Sequence, residues 1–110
     1  MNNNDAQQWL NDLEQVIIKN IEISNFKVSD VAAQMFVSKR QLYRKSKKYI
    51  GLTPLNYIKT FKLNYVHNLL IHKKVSSVKY ASYSIGYSNK EYFIREFKKA
   101  FNKLPSDFLD

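Results

Sequence analysis

The sequence predicts an all-α fold of two related helical units joined by one long helix. Three observations predict it. A capped basic helix at residues 38–51 recurs 51 positions later at 89–102. Each copy follows a short amphipathic segment and a brief turn. Between the units, residues 55–70 contain neither glycine nor proline, so one helix can run unbroken.

The first basic helix is bounded at both ends. Ser38 is a good N-cap, Gln41 three residues on completes a capping box, and Gly51 can take the left-handed conformation that ends a helix. Leu42, Ser46 and Tyr49 share one face. Arg40, Tyr43, Arg44, Lys47 and Lys48 lie on the other. In the second copy Asn89 is the cap, and Asn102 stands where the first has Gly51. Leu42 corresponds to Phe93, Arg44 to Arg95, Lys47 and Lys48 to Lys98 and Lys99, Pro54 to Pro105, and Tyr57 to Phe108.

The other elements follow from periodicity. Residues 5–22 read as a helix capped by Asp5, with Trp9, Leu13, Val16, Ile17 and Ile21 at spacings of three and four. Residues 28–35 read as a short helix in which Ala32 and Ala33 permit a close crossing, and the turn after it holds Phe36 and Val37. Thr53 and Pro54 are an N-cap and a first-position proline that open the connector. A connector of about 17 residues would span roughly 25 Å, with Leu55, Ile58, Phe61, Leu63, Val66, Leu69 and Leu70 as its apolar contacts. Ser76 or Ser77 starts another short helix ending near Ile85, followed by the turn Gly86-Tyr87-Ser88. Phe93, Phe97 and Phe101 form a core stripe. Short helix, tight turn and capped second helix is the helix-turn-helix layout, and it occurs twice. The expected division is 5–52, 53–71 and 72–110.

Composition narrows the function. A chain of 110 residues is one domain or two very small ones, and 45% hydrophobic residues suit a folded protein. With no cysteine there is no disulfide or thiolate metal site. His67 and His72 have no metal-ligand spacing, so no metal or cofactor is expected. No catalytic residues are expected either: paired carboxylates, a nucleophile–base pair and a phosphate loop are all missing. The polar start lacks an apolar core, no segment is long enough for a membrane span, and a cytoplasmic location is expected.

The net charge of +9 is unevenly spread. Residues 1–30 hold five acids and two lysines, 31–90 hold twelve Lys or Arg and no acid, and 91–110 hold four of each. Sixty residues without a carboxylate project a positive field suited to a polyanion. The three arginines, Arg40, Arg44 and Arg95, all lie on the repeated helices, while fifteen lysines are scattered. Arginine's planar fork can read a guanine edge with two bonds.

The second unit resembles the signature of the AraC/XylS transcription regulators. Gly86-Tyr87 matches the family's Gly-Phe turn, Tyr92-Phe93 its Tyr-Phe, Phe97-Lys98-Lys99 its Phe-Lys-Lys, and Asn102 through Pro105 and Phe108 its Gly-x-x-Pro and aromatic. The first unit matches the Ser-x-x-x-Leu-x-Arg helix at Ser38, Leu42 and Arg44, Gly-x-x-Pro at Gly51 and Pro54, and the Tyr57-Ile58 opening of the connector. The resemblance covers roughly residues 8–108. Departures fall at Phe36, where a turn glycine is usual, at Ser46, usually phenylalanine, at Ser82, usually small and apolar, and at Asn102, usually glycine.

The resemblance implies seven helices and two recognition helices entering adjacent major-groove segments of duplex DNA. By position it makes Arg40, Tyr43 and Arg44, then Lys90, Glu91, Ile94 and Arg95, the base-facing residues. Candidate phosphate contacts are Ser38, Gln41, Lys47, Lys48, Asn89, Lys98 and Lys99. Glu91 could also hold the Arg95 fork in register. The expected activity is sequence-specific DNA binding that regulates transcription, by a monomer with RNA polymerase as a candidate partner. A helix-turn-helix protein-interaction module and an RNA-binding domain are the alternatives. The chain reads equally as a stand-alone regulator or as the DNA-binding end of a longer one.

Overall fold

A computed structural model describes residues 3–109. Met1 and Asn2, the first residues of the polar start, and Asp110, the last of the expected second subdomain, lie outside the described residues. The elements are α1 (Asn3–Lys19), α2 (Val28–Gln34), α3 (Lys39–Tyr49), α4 (Pro54–Ile71), α5 (Val78–Ser84), α6 (Lys90–Phe101) and a closing 3-10 helix, Pro105–Phe108. The architecture is all-α as expected. Six α-helices stand where seven were expected, and the seventh helical element is the 3-10 turn.

The chain divides into two compact units. The first takes residues up to Asn20 and from Phe26 to Lys59; the second takes Ile21–Asn25 and residues from Thr60 on. Helix α4 has residues in both.

In the first unit Trp9, Leu13, Ile17, Val31, Ala32 and Leu42 are buried. Ala33 is exposed, so Ala32 alone of that pair is buried. Helix α1 begins before Asp5, which therefore sits in the first turn rather than at the cap. A carboxylate there still faces the positive end of the helix dipole. The helix also stops three residues early. Asn20 is buried, and its side-chain amide donates to Val16 O at 2.8 Å and to Gln34 Oε1 at 3.0 Å. Those bonds satisfy a buried polar group in place of another helical turn. Asp30 accepts the Lys27 N–H at 2.8 Å and caps α2. The Tyr57 hydroxyl donates to Glu14 Oε2 at 2.7 Å. Burial first, then that bond and the carboxylate's charge, push the phenol well above its ordinary pKa.

The turn between α2 and α3 is unusual. Phe36 takes φ +59° and its side chain is 95% exposed. The left-handed region costs an ordinary residue roughly 1–2 kcal/mol, and burial of the ring does not offset it. Phe36→Gly should therefore stabilise the first unit by about 0.5–1 kcal/mol after glycine's own entropy cost. Denaturant unfolding measures this; a loss of stability would show that the exposed ring holds the turn.

In the second unit Ile21, Leu63, Val66, Leu70, Ala81, Ile85, Phe93 and Phe97 form one buried cluster. Phe101 is half-buried beneath His67, ring centroids 4.2 Å apart and nearly parallel. His67 is thus a packing residue, and His72 Nδ1 meets Asn68 O at 2.8 Å. Leu55, expected among the apolar contacts of α4, is 65% exposed. The turn here uses Gly86 at φ +76°, where an added Cβ would come 2.8 Å from Ile21 O and 3.0 Å from Ile23 O. Both the backbone angle and the space require glycine.

Two of the departures from the family pattern have a common explanation. Ser46 and Ser82 are fully buried. The Ser46 hydroxyl donates to Leu52 O at 2.7 Å, and the Ser82 hydroxyl to Tyr87 O at 2.7 Å. Each ties a helix to the turn that follows it, which offsets the burial of the oxygen. Beside Ser46, Tyr49 packs its ring on Trp9 at 5.5 Å.

Candidate nucleic-acid interface

Helix α3 forms where its caps place it. Ser38 Oγ accepts the Gln41 N–H at 3.1 Å, and Gln41 Oε1 accepts the Ser38 N–H at 3.0 Å. These bonds use acceptor atoms. The hydroxyl proton and the amide NH₂ are the groups able to reach a phosphate. Asn89 Oδ1 accepts the Tyr92 N–H at 2.8 Å and caps α6 in the same manner.

Leu42 and Ser46 are buried, which fixes the roll of α3. Arg40, Tyr43, Arg44, Lys47 and Lys48 are then all exposed. Among the described residues Arg40, Arg44 and Lys47 have no carboxylate partner. Lys48 leans on the ring of Tyr49, Nζ 5.4 Å from its centroid.

On α6 the buried residues are Phe93, Glu96 and Phe97. Lys90, Glu91, Arg95, Lys98 and Lys99 are exposed. Ile94 is half-buried against the core cluster, so only part of its surface is left for a base. Lys99 Nζ lies 3.3 Å from the buried Glu96 carboxylate. Lys98 Nζ, 3.5 Å from Asn102 O, meets no acid there. Of the two lysines, Lys98 therefore keeps more of its charge for a phosphate.

One expected pairing is absent. Among the described residues no ion pair joins Glu91 to Arg95. Instead the Arg95 guanidinium lies over the ring of Tyr92, its carbon 5.7 Å from the centroid. Tyr92 was not among the expected site residues. Its spacing of three from Arg95 on one helix is the sequence signal that could have found it. The buried acid Glu96 was also not anticipated, because its pattern is that of any surface glutamate.

A hollow of about 450 Å³ in the first unit, lined by Trp9, Val16, Met35 and Val37 among others, has Asp12 and Lys45 as its charged residues. Among the described residues no cluster of three His, Cys, Asp or Glu could hold a metal ion. None of the described helices is long and apolar enough to cross a membrane.

Residues 31–110 match the helix-turn-helix domain family. An AraC-type DNA-binding transcriptional regulator from Chromobacterium violaceum superposes with a TM-score of 0.81 at 28% identity, over 94% of this chain and 91% of that one. The chain belongs to the AraC/XylS family of DNA-binding domains.

This AraC/XylS-family chain is 36% identical over 77 residues to the HTH-type transcriptional activator RhaS of Escherichia coli, covering 70% of itself and 27% of that protein. It is 28% identical over 102 residues to a protein of Formosa agariphila named histidine kinase P4, covering 93% of itself and 7% of that protein. The chain thus spans a small part of the length of both. Domains of this family are DNA-binding domains.

Proposed function

We propose that the chain reads DNA with α3 and α6, each in one of two adjacent major-groove segments. Residues 5–52 and 72–110 act as the two reading subdomains, and 53–71 as their connector. Arg40, Tyr43 and Arg44 reach base edges from α3. Lys90, Glu91, Arg95 and the free part of Ile94 do so from α6. Ser38, Gln41, Lys47, Lys48, Asn89, Lys98 and, more weakly, Lys99 hold phosphates. The observation that carries this reading is the exposure of Arg44 and Arg95 on helices rolled by their buried faces, with no carboxylate among the described residues occupying either fork. An arginine whose N–H donors are not taken by a carboxylate can give two bonds to guanine O6 and N7.

In this reading the chain works in the cytoplasm as a monomer, carries out no catalysis and needs no cofactor. RNA polymerase is the partner through which binding would alter transcription.

Arg44→Ala and Arg95→Ala should each lose about 1–3 kcal/mol on the preferred site and relax the choice of base at one position. Lys98→Ala should weaken binding to all sequences alike. Affinities on the preferred duplex and on unrelated DNA measure both. Equal losses on the two DNAs for an arginine variant would mean that it positions the protein without reading sequence.

A further inference from the structure

Four side chains of the second unit form a ladder that ends at Arg95. Its guanidinium carbon is 5.7 Å from the centroid of Tyr92. Tyr92 stacks on Tyr87, centroids 5.7 Å apart with planes inclined by 29°. Tyr87 is backed at its edge by buried Phe93, at 6.0 Å and 84°. On Tyr87 also rests Lys62, its Nζ 6.0 Å from the ring. Two cations thus flank two stacked rings anchored to the core.

We infer that Tyr92 is a positioning residue for base reading, its ring being the platform that presents the Arg95 fork to the groove. This rests on the base-reading role proposed for Arg95.

The physical argument has three parts. A guanidinium is planar and weakly hydrated, so it lies on an aromatic face at little desolvation cost and keeps its N–H donors pointing outward. An arginine held this way loses less side-chain freedom when it meets a base. The platform itself is firm, because Tyr87 is half-buried against Phe93. Burial above all raises the Tyr87 phenol's pKa.

The first unit supplies an internal contrast. The 51-residue offset puts Gln41 where the second unit has Tyr92. Gln41 is engaged in the capping box with Ser38, so Arg44 has no aromatic platform three residues before it. Only the DNA element read by α6 should therefore respond to Tyr92.

The test uses Tyr92→Phe, Tyr92→Leu, Arg95→Ala and the double variant. Each is assayed on the preferred duplex and on duplexes altered within either element. Tyr92 is 40% exposed, so these variants should fold, and thermal unfolding checks that they do. Tyr92→Leu should cut discrimination in the α6 element roughly two- to five-fold and leave discrimination in the α3 element unchanged. Tyr92→Phe keeps the ring and should retain both. In the Arg95→Ala background, Tyr92→Leu should remove no further discrimination. The inference is overturned if Tyr92→Leu weakens all duplexes equally, or if its effect on discrimination persists in full without Arg95. If Arg95→Ala itself leaves discrimination intact, the base-reading role fails and the inference with it. If Arg95→Ala relaxes the choice while Tyr92→Leu does not, the inference alone fails.

Discussion

Raising the salt concentration four-fold, from 50 to 200 mM, should weaken binding to duplex DNA about a thousand-fold. The region 31–90 carries twelve cations and no acid, so it cannot neutralise itself. Arg40, Arg44, Lys47, Lys90 and Arg95 have no carboxylate partner among the described residues. Each such cation that meets a phosphate releases counterions, and with about six phosphates neutralised the slope of log K against log salt is near −5. Buried ion pairs between protein and DNA would be screened far less. Titrations of a labelled duplex at a series of salt concentrations give the slope. An affinity that stays flat from low to moderate salt would mean that the basic region meets solvent and not phosphate.

Much of the fold was legible because local chemistry and global packing agree in this chain. The capping residues Ser38 and Asn89 make the bonds that their type and position predict, and of Ser76 and Ser77 it is Ser77 that caps α5. The left-handed residues Gly51 and Asn102 follow the ends of α3 and α6 as expected. Of the expected stripe Phe93 and Phe97 are fully buried and Phe101 half-buried.

What escaped the sequence lies in particular side-chain partners. The apolar spacing of Ile17 and Ile21 continues through the end of α1. In the folded chain Asn20 turns its amide to Val16 O and to Gln34, and Ile21 joins the core of the second unit. Ser46 and Ser82 look like weakened core positions until the carbonyls of Leu52 and Tyr87 are seen to accept from them.

The interface divides in the same manner. Which helix faces present Arg40, Arg44 and Arg95 follows from the position of the buried residues, and periodicity gives that. What each side chain rests on does not follow. Glu91 and Tyr92 both stand within reach of Arg95 by spacing, and charge favoured Glu91. In the folded chain the guanidinium lies over the ring of Tyr92, which stacks on Tyr87, itself against Phe93. Likewise Lys98 and Lys99 look alike until Glu96 is seen to be buried and paired with Lys99.

The account turns on both helix-turn-helix units engaging the same DNA. In the proposed reading their tether is α4, 18 residues of continuous helix. Two reading modules on one short tether gain avidity that can exceed either affinity by roughly 10²–10⁴, provided both elements lie on one face of the duplex. Inserting five base pairs between the two preferred elements turns one of them about half a helical turn away. Binding to the native and the spaced duplex, measured at one salt concentration, is the most direct test. The spaced duplex should bind about a hundred-fold more weakly or worse, and a full-turn insertion should recover part of the loss if the DNA can bend. Equal affinity for the native and the five-base-pair duplex would contradict the account and leave a single unit reading DNA.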